Sequence, residues 1–266
     1  MSRAPLVSVV LLALGCSSGP VSVGDDRSGA AGAAGAGTSG AASGGAPNGG
    51  GSSGGSAGAF AGDGGAPSGP PTAVQLADLL EPCAMISDGL LAREAGKTRD
   101  VPVCALNSAV YWTSQLSVDC DGKRTDTCNS TTDPQSSSNT LGKDSNGDSL
   151  DAAVVPFVEV PRASVTFDYE AAGLHMGSVV AVIYKDKVAY GVLGQEQAQD
   201  VIGAASVKMA ELLGINPDPI RGGLQVKEVS YFAFKGPEYV VPALEDVVAA
   251  AKLGESAAAE LVAQGR

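Results

Sequence analysis

The chain has 266 residues, and 17 Lys and Arg stand against 29 Asp and Glu, a formal charge of −12. Only Arg3, Asp25, Asp26, Arg27 and Asp63 precede residue 73, so nearly all of this acidity belongs to the C-terminal part. An acidic surface argues against nucleic acid as a partner, because phosphate binding needs a basic footprint. It attracts polycations, and it also serves plain solubility.

Arg3 followed by the apolar run Leu6 to Leu14 has the pattern of an export signal, too short for a membrane span. Leu12-Ala13-Leu14-Gly15-Cys16 resembles the bacterial lipobox. That resemblance implies a signal peptide over residues 1–15, cleavage before Cys16 and lipidation of its sulfur. The protein is then expected in the cell envelope, attached to the membrane through its N-terminal lipid, and Ser17 directs such lipoproteins to the outer membrane. Residues 16–72 are the lipidated N-terminus and a tract of Gly, Ala and Ser, with too few apolar groups to offset the entropy of ordering. A flexible tether of this length spans on the order of 40 Å. The foldable part is residues 73–266, enough for one domain with its own core.

Ala73 to Leu80 read as a short helix. Ala109 to Val118 alternate and are rich in aromatic and branched residues, the signature of a strand, and Ala153 to Val160 read the same way. Asp119 to Asp148 are polar and interrupted by Gly and Pro, which predicts loops. Ser178 to Tyr184 and Lys187 to Leu193 flank Lys185-Asp186 as a hairpin. Ala204 to Leu213 have helical periodicity, stopped by Gly214. Val226 to Phe234 form a further strand, and the Ala-rich tail from Leu244 is helical with an interruption at Gly254. The sum is a mainly β domain with peripheral helices, a compact β-barrel-like fold.

Cys83, Cys104, Cys120 and Cys128 are an even set in an exported chain, which reads as two disulfides with three possible connectivities. The preferred pairing is Cys120 with Cys128, leaving Cys83 with Cys104. The spacings are not those of a zinc ribbon, and His175 is the only histidine. No metal and no cofactor is expected.

Three segments in order resemble glycoside hydrolase family 75, the chitosanases of fungi and bacteria. The first is Val118-Asp119-Cys120-Asp121-Gly122 with Cys128 and Asp133-Pro134; the second is Leu150-Asp151-Ala152 running into Val155-Pro156-Phe157-Val158. The third is Gly177 to Tyr184, then Lys187 to Gly194, then Ile202-Gly203-Ala204-Ala205-Ser206. The resemblance implies a fold near the double-psi barrel and hydrolysis of β-1,4-linked glucosamine with inversion. Inversion requires one carboxyl to protonate the leaving oxygen and another to activate water on the opposite face. In the family these are an Asp after the Gly that ends the second hairpin strand and a Glu nine residues later. Here Gln195 and Ala204 occupy those positions. Neither delivers a proton, so hydrolysis by the family's pair is not expected. Glu196 and Asp200 are the candidate catalytic substitutes nearest in sequence, although both also suit solvated loops. Asp119, Asp121 and Gln195 are the candidate substrate-binding residues, and a chitosan-like polysaccharide is the partner implied. The alternative is a catalytically inactive polysaccharide-binding or envelope scaffold protein.

Other signals are weaker. Asp144-Ser145-Asn146-Gly147-Asp148 with Asp151 looks like a calcium loop, but Ser149 and Val155 stand where an EF-hand requires Gly and Glu. Tyr111 and Trp112 lie on a strand, where aromatic residues are more often core than sugar platforms.

Overall fold

The computed structural model describes residues 69–265. The expected signal peptide, Cys16 and nearly all of the tether therefore lie outside the described residues. In chain order the elements are α1 (Ala73–Ala77), β1 (Ala84–Met85), β2 (Leu91–Ala92), β3 (Arg99–Val101), β4 (Cys104–Leu106), β5 (Ala109–Asp119), β6 (Phe157–Pro161), β7 (Val179–Tyr184), β8 (Lys187–Gln197), β9 (Ala204–Ser206), α2 (Val207–Leu213), β10 (Leu224–Phe234) and α3 (Val247–Gln264).

Six strands close into a barrel in the order β5, β10, β7, β8, β6, β9 and back to β5. The β6–β8 and β5–β9 pairings are parallel, and the other four are antiparallel. Closure removes the free edges that an open sheet would expose. The hairpin of β7 and β8 keeps strict register from Val179↔Val192 to Tyr184↔Lys187. Its turn residue Lys185 takes a left-handed φ of 56°.

The core is built from cross-strand pairs. Trp112 and Tyr231 face each other in the β5–β10 register and stack with ring centroids 5.2 Å apart, and both are fully buried. Offset-stacked aromatics of this kind add about 0.5–1.5 kcal/mol beyond the area they bury. Tyr111 stacks on Phe232 in the next pair at 5.9 Å. The sequence reading of Tyr111 and Trp112 as core holds.

The helices cover the barrel. The α3 helix packs against β7 and β8, and α2 against β8 and β5. Asp246 caps α3 by accepting from the Ala249 amide. Two helical expectations need correction. The tail helix runs without a break through Gly254, because this glycine is buried and lets the helix approach Tyr190; a Cβ there would lie 3.0 Å from the ring. Ala204 to Ser206 form a strand, and the helix begins only at Val207. Ser206 makes the change of direction: its Oγ accepts from the Met209 amide as N-cap, accepts from the Phe157 amide and donates to the Val155 carbonyl. Gly214 ends α2 in the left-handed region at φ 70°, as its position predicts.

Disulfides join Cys83 to Cys104 and Cys120 to Cys128, with Cα–Cα distances of 5.3 Å and 5.2 Å. This is the preferred pairing of the sequence reading. No helix among the described residues is long and apolar enough to cross a membrane.

Candidate functional site

A cleft of about 520 Å³ opens beside the end of β5. Asp119, Asp133, Ser136, Pro219 and Ile220 are among its lining residues. Asp119 is the last residue of β5, and the chain leaves the barrel there into the disulfide loop. The loop's polar groups are used locally. Asp133 accepts from the Cys120 amide, Asp119 accepts from the Asp121 amide, and Asp121 accepts from the Ser137 amide at 2.5 Å. Gly122 makes the turn at φ 111°; a Cβ there would lie 2.1 Å from the Leu150 carbonyl oxygen, which no side chain accommodates.

Gln195 lies on β8 and is 8% exposed. Its Nε2 donates to Asp121 Oδ2 at 2.7 Å and to the Asn139 carbonyl at 3.0 Å. Its Oε1 accepts from the Leu141 amide at 2.9 Å and from the Glu196 amide at 3.0 Å. This pattern fixes the amide orientation, because a flipped amide would set oxygen against oxygen and N–H against N–H at all four contacts. A carboxylate at this position has no proton for Asp121, so the site as built is matched to an amide.

Ala204 is fully buried on β9, paired with Ser117 of β5. Between the strands carrying Gln195 and Ala204 runs β6. There Glu159 pairs with Gln195 on one side, while its neighbour Val158 pairs with Ala205 on the other. Glu159 is 2% exposed, and its Oε1 has no hydrogen-bond partner. One carboxylate oxygen from each of Asp119, Asp121 and Glu159 lies within 4.8 Å of the others. Burial, and then the charges of Asp119, Asp121 and Asp133, hold the Glu159 carboxyl well above its ordinary range. Burial, followed by Asp121 and Asp133, pushes Asp119 up to about 7. Such clustering of perturbed carboxyls marks a candidate functional centre.

Sequence reasoning did not single out Glu159. Its signal was present: it is the one charged residue in the run Ala153 to Val160. A strand buried on both faces has no solvated side on which to place a charge.

The side chains of the other candidates have partners of their own. Glu196 accepts from the Tyr169 hydroxyl at 3.0 Å and faces Arg162 at 3.8 Å. Asp200 is bound by Arg99 at 2.9 Å and by the Ser164 hydroxyl at 2.6 Å. That hydroxyl, with Arg99, holds its carboxyl below the ordinary range. None of these partners is shared with Gln195, Asp119 or Asp121. Asp144 accepts from the Asn146 and Asp148 amides, and the turn is tied to Glu245 through Ser145.

Comparisons with known proteins show the family. The family model described as fungal chitosanase of glycosyl hydrolase group 75 matches residues 116–265. A protein named endo-chitosanase from Aspergillus oryzae strain ATCC 42149 / RIB 40 is 30% identical over 137 residues, covering 48% of this chain and 56% of the relative. A second endo-chitosanase of Aspergillus oryzae matches with the same identity and coverage. The chain thus spans about half the length of these relatives. The matched region takes in most of the barrel, the disulfide loop and the carboxyl cluster, and on it the chain belongs to glycoside hydrolase family 75.

Proposed function

We propose that this protein binds a chitosan-like amino-sugar polysaccharide in the acidic cleft beside β5 and does not cleave it by the family's acid/base pair. The observation that carries this reading is Gln195, whose amide occupies one of the two expected catalytic carboxyl positions with its donors and acceptor all engaged, one of them on Asp121. An amide has no proton to transfer to a glycosidic oxygen, and the second expected position, Ala204, has no polar side-chain atom. The groove chemistry nonetheless favours a polycation: Asp133 and Asp119 line the cleft of a chain whose net charge is −12. The two relatives' names supply the class of polymer. The lipobox-like sequence ending at Cys16 adds a lipid anchor, so the domain is held at the envelope, at the outer membrane, through the Gly, Ala and Ser tract that follows it. A tethered binder keeps its polymer at the cell surface.

Affinity electrophoresis through gels with and without soluble chitosan tests binding, and a reducing-end assay on the same preparation tests hydrolysis. Retarded mobility without release of reducing ends is the expected result. Equal mobility in both gels overturns the binding reading. Release of reducing ends overturns the inactive reading and places the proton donor among the remaining carboxyls.

A further inference from the structure

We infer that Asp119, Asp121 and Glu159 form a calcium site beside the cleft that Asp119 lines. Their three ligand oxygens lie within 4.8 Å of one another. A calcium ion holds its oxygens at about 2.3–2.6 Å, so two of them stand at most about 5 Å apart, and a cluster held within 4.8 Å has the size for one ion. Calcium takes carboxylate oxygens in irregular, flexible geometry, whereas magnesium demands a near-ideal octahedron and usually keeps several of its waters. The set is all oxygen: the nearby Cys120 is committed to its disulfide. Oxygen donors of this kind select a hard cation.

The second observation is Glu159 itself. It is 2% exposed, faces Asp119 and Asp121, and leaves Oε1 without any hydrogen-bond partner. A buried polar atom without a partner costs free energy, and a native fold ordinarily satisfies it. No lysine or arginine among the described residues pairs with any of the three carboxylates. Asp119 and Asp121 are held by backbone and amide donors, which leave lone pairs free on their oxygens. A divalent ion supplies the missing positive charge, and Asp119 is the member of the cluster that borders the cleft. The bound ion joins the end of β5, the disulfide loop and β6.

The test is isothermal titration of the full-length chain, stripped with EDTA and titrated with calcium chloride. One ion per chain is expected, with a Kd on the order of 10⁻⁴–10⁻³ M or tighter. Glu159→Gln is expected to weaken binding about tenfold or more. Asp148→Asn, in the acidic turn at Asp144 to Asp148, is expected to bind calcium as the parent does. If Glu159→Gln fails to fold, as judged by circular dichroism, Asp119→Asn takes its place with the same expected loss. Absence of saturable binding overturns the inference. So does unchanged affinity in the folded variant, and so does loss of binding in Asp148→Asn. No polysaccharide enters the titration, so its outcome is independent of the reading of the cleft as a sugar site.

Discussion

Gln195→Glu is the sharpest probe of the site, because it changes one N–H donor group into a carboxylate oxygen with almost no change in shape. That oxygen would stand 2.7 Å from Asp121 Oδ2 and 3.0 Å from the Asn139 carbonyl oxygen. At an effective dielectric of about 20, two unit charges at that distance repel by about 6 kcal/mol. The introduced carboxyl avoids this by keeping its proton, which restores a donor to Asp121. Its folded pKa therefore rises above the ordinary value of about 4.3. A raised carboxyl pKa lowers stability as pH climbs past the unfolded value, by about 1.4 kcal/mol per pH unit until the folded pKa is reached. The variant should match the parent near pH 4 and fall about 4 kcal/mol below it near pH 7. Urea unfolding of both proteins at several pH values between 4 and 8, in EDTA, measures the difference directly. A difference that stays flat with pH, or below about 1 kcal/mol at pH 8, would refute the claim that this position is built for an amide facing a carboxylate.

The parent protein carries its own pH dependence. With divalent ions chelated, Asp119, raised to about 7, makes stability fall on the order of 4 kcal/mol as pH rises from about 4 through 7, and urea midpoints of Asp119→Asn should lack that share. Asp200 has the opposite sign: the Ser164 hydroxyl and Arg99 hold its pKa low, so its stabilisation is present above the ordinary carboxyl range and lost as pH falls below it. Asp200→Asn should flatten the acid limb of the same unfolding series, and an unchanged acid limb would count against the Ser164 and Arg99 contacts. Gly191→Ala should cost about 3 kcal/mol or more by thermal unfolding, since its Cβ would lie 2.1 Å from the Pro156 carbonyl oxygen and the barrel wall has to move; a change under about 1 kcal/mol would contradict that packing.

The β-rich class, the β7–β8 hairpin, the long β5 and the C-terminal helix were legible in residues alone, because strand alternation and helical spacing are local properties. The cysteines pointed to two disulfides for a similar reason, through their even number. What local pattern misread was the stretch from Ala204. Three small residues before a helical run look like its first turn, yet β5 and β6 claim them as a strand, since an open gap in the barrel wall would leave backbone groups unpaired. Gly254 shows the same limit in reverse: glycine lowers helix propensity, but contact with Tyr190 makes it the residue that fits.

For the site, the sequence by itself determined that Gln195 and Ala204 stand where the family resemblance expects the two catalytic carboxyls, that Asp119 and Asp121 flank Cys120, and that the chain is acidic. Only the tertiary structure decided which carboxyls meet. Glu159 lies 40 residues beyond Asp119 and 36 before Gln195, and its place as the one charge in an apolar run does not say which carboxyls it meets. Closure of the barrel sets β6 between β8 and β9 and brings Glu159 to both aspartates. Glu196 and Asp200, nearest in the chain to the positions they were expected to replace, are drawn to Tyr169 and Arg162 and to Arg99 and Ser164. Sequence proximity fixes distance only along the strand, whereas chemistry depends on which strands the sheet places side by side.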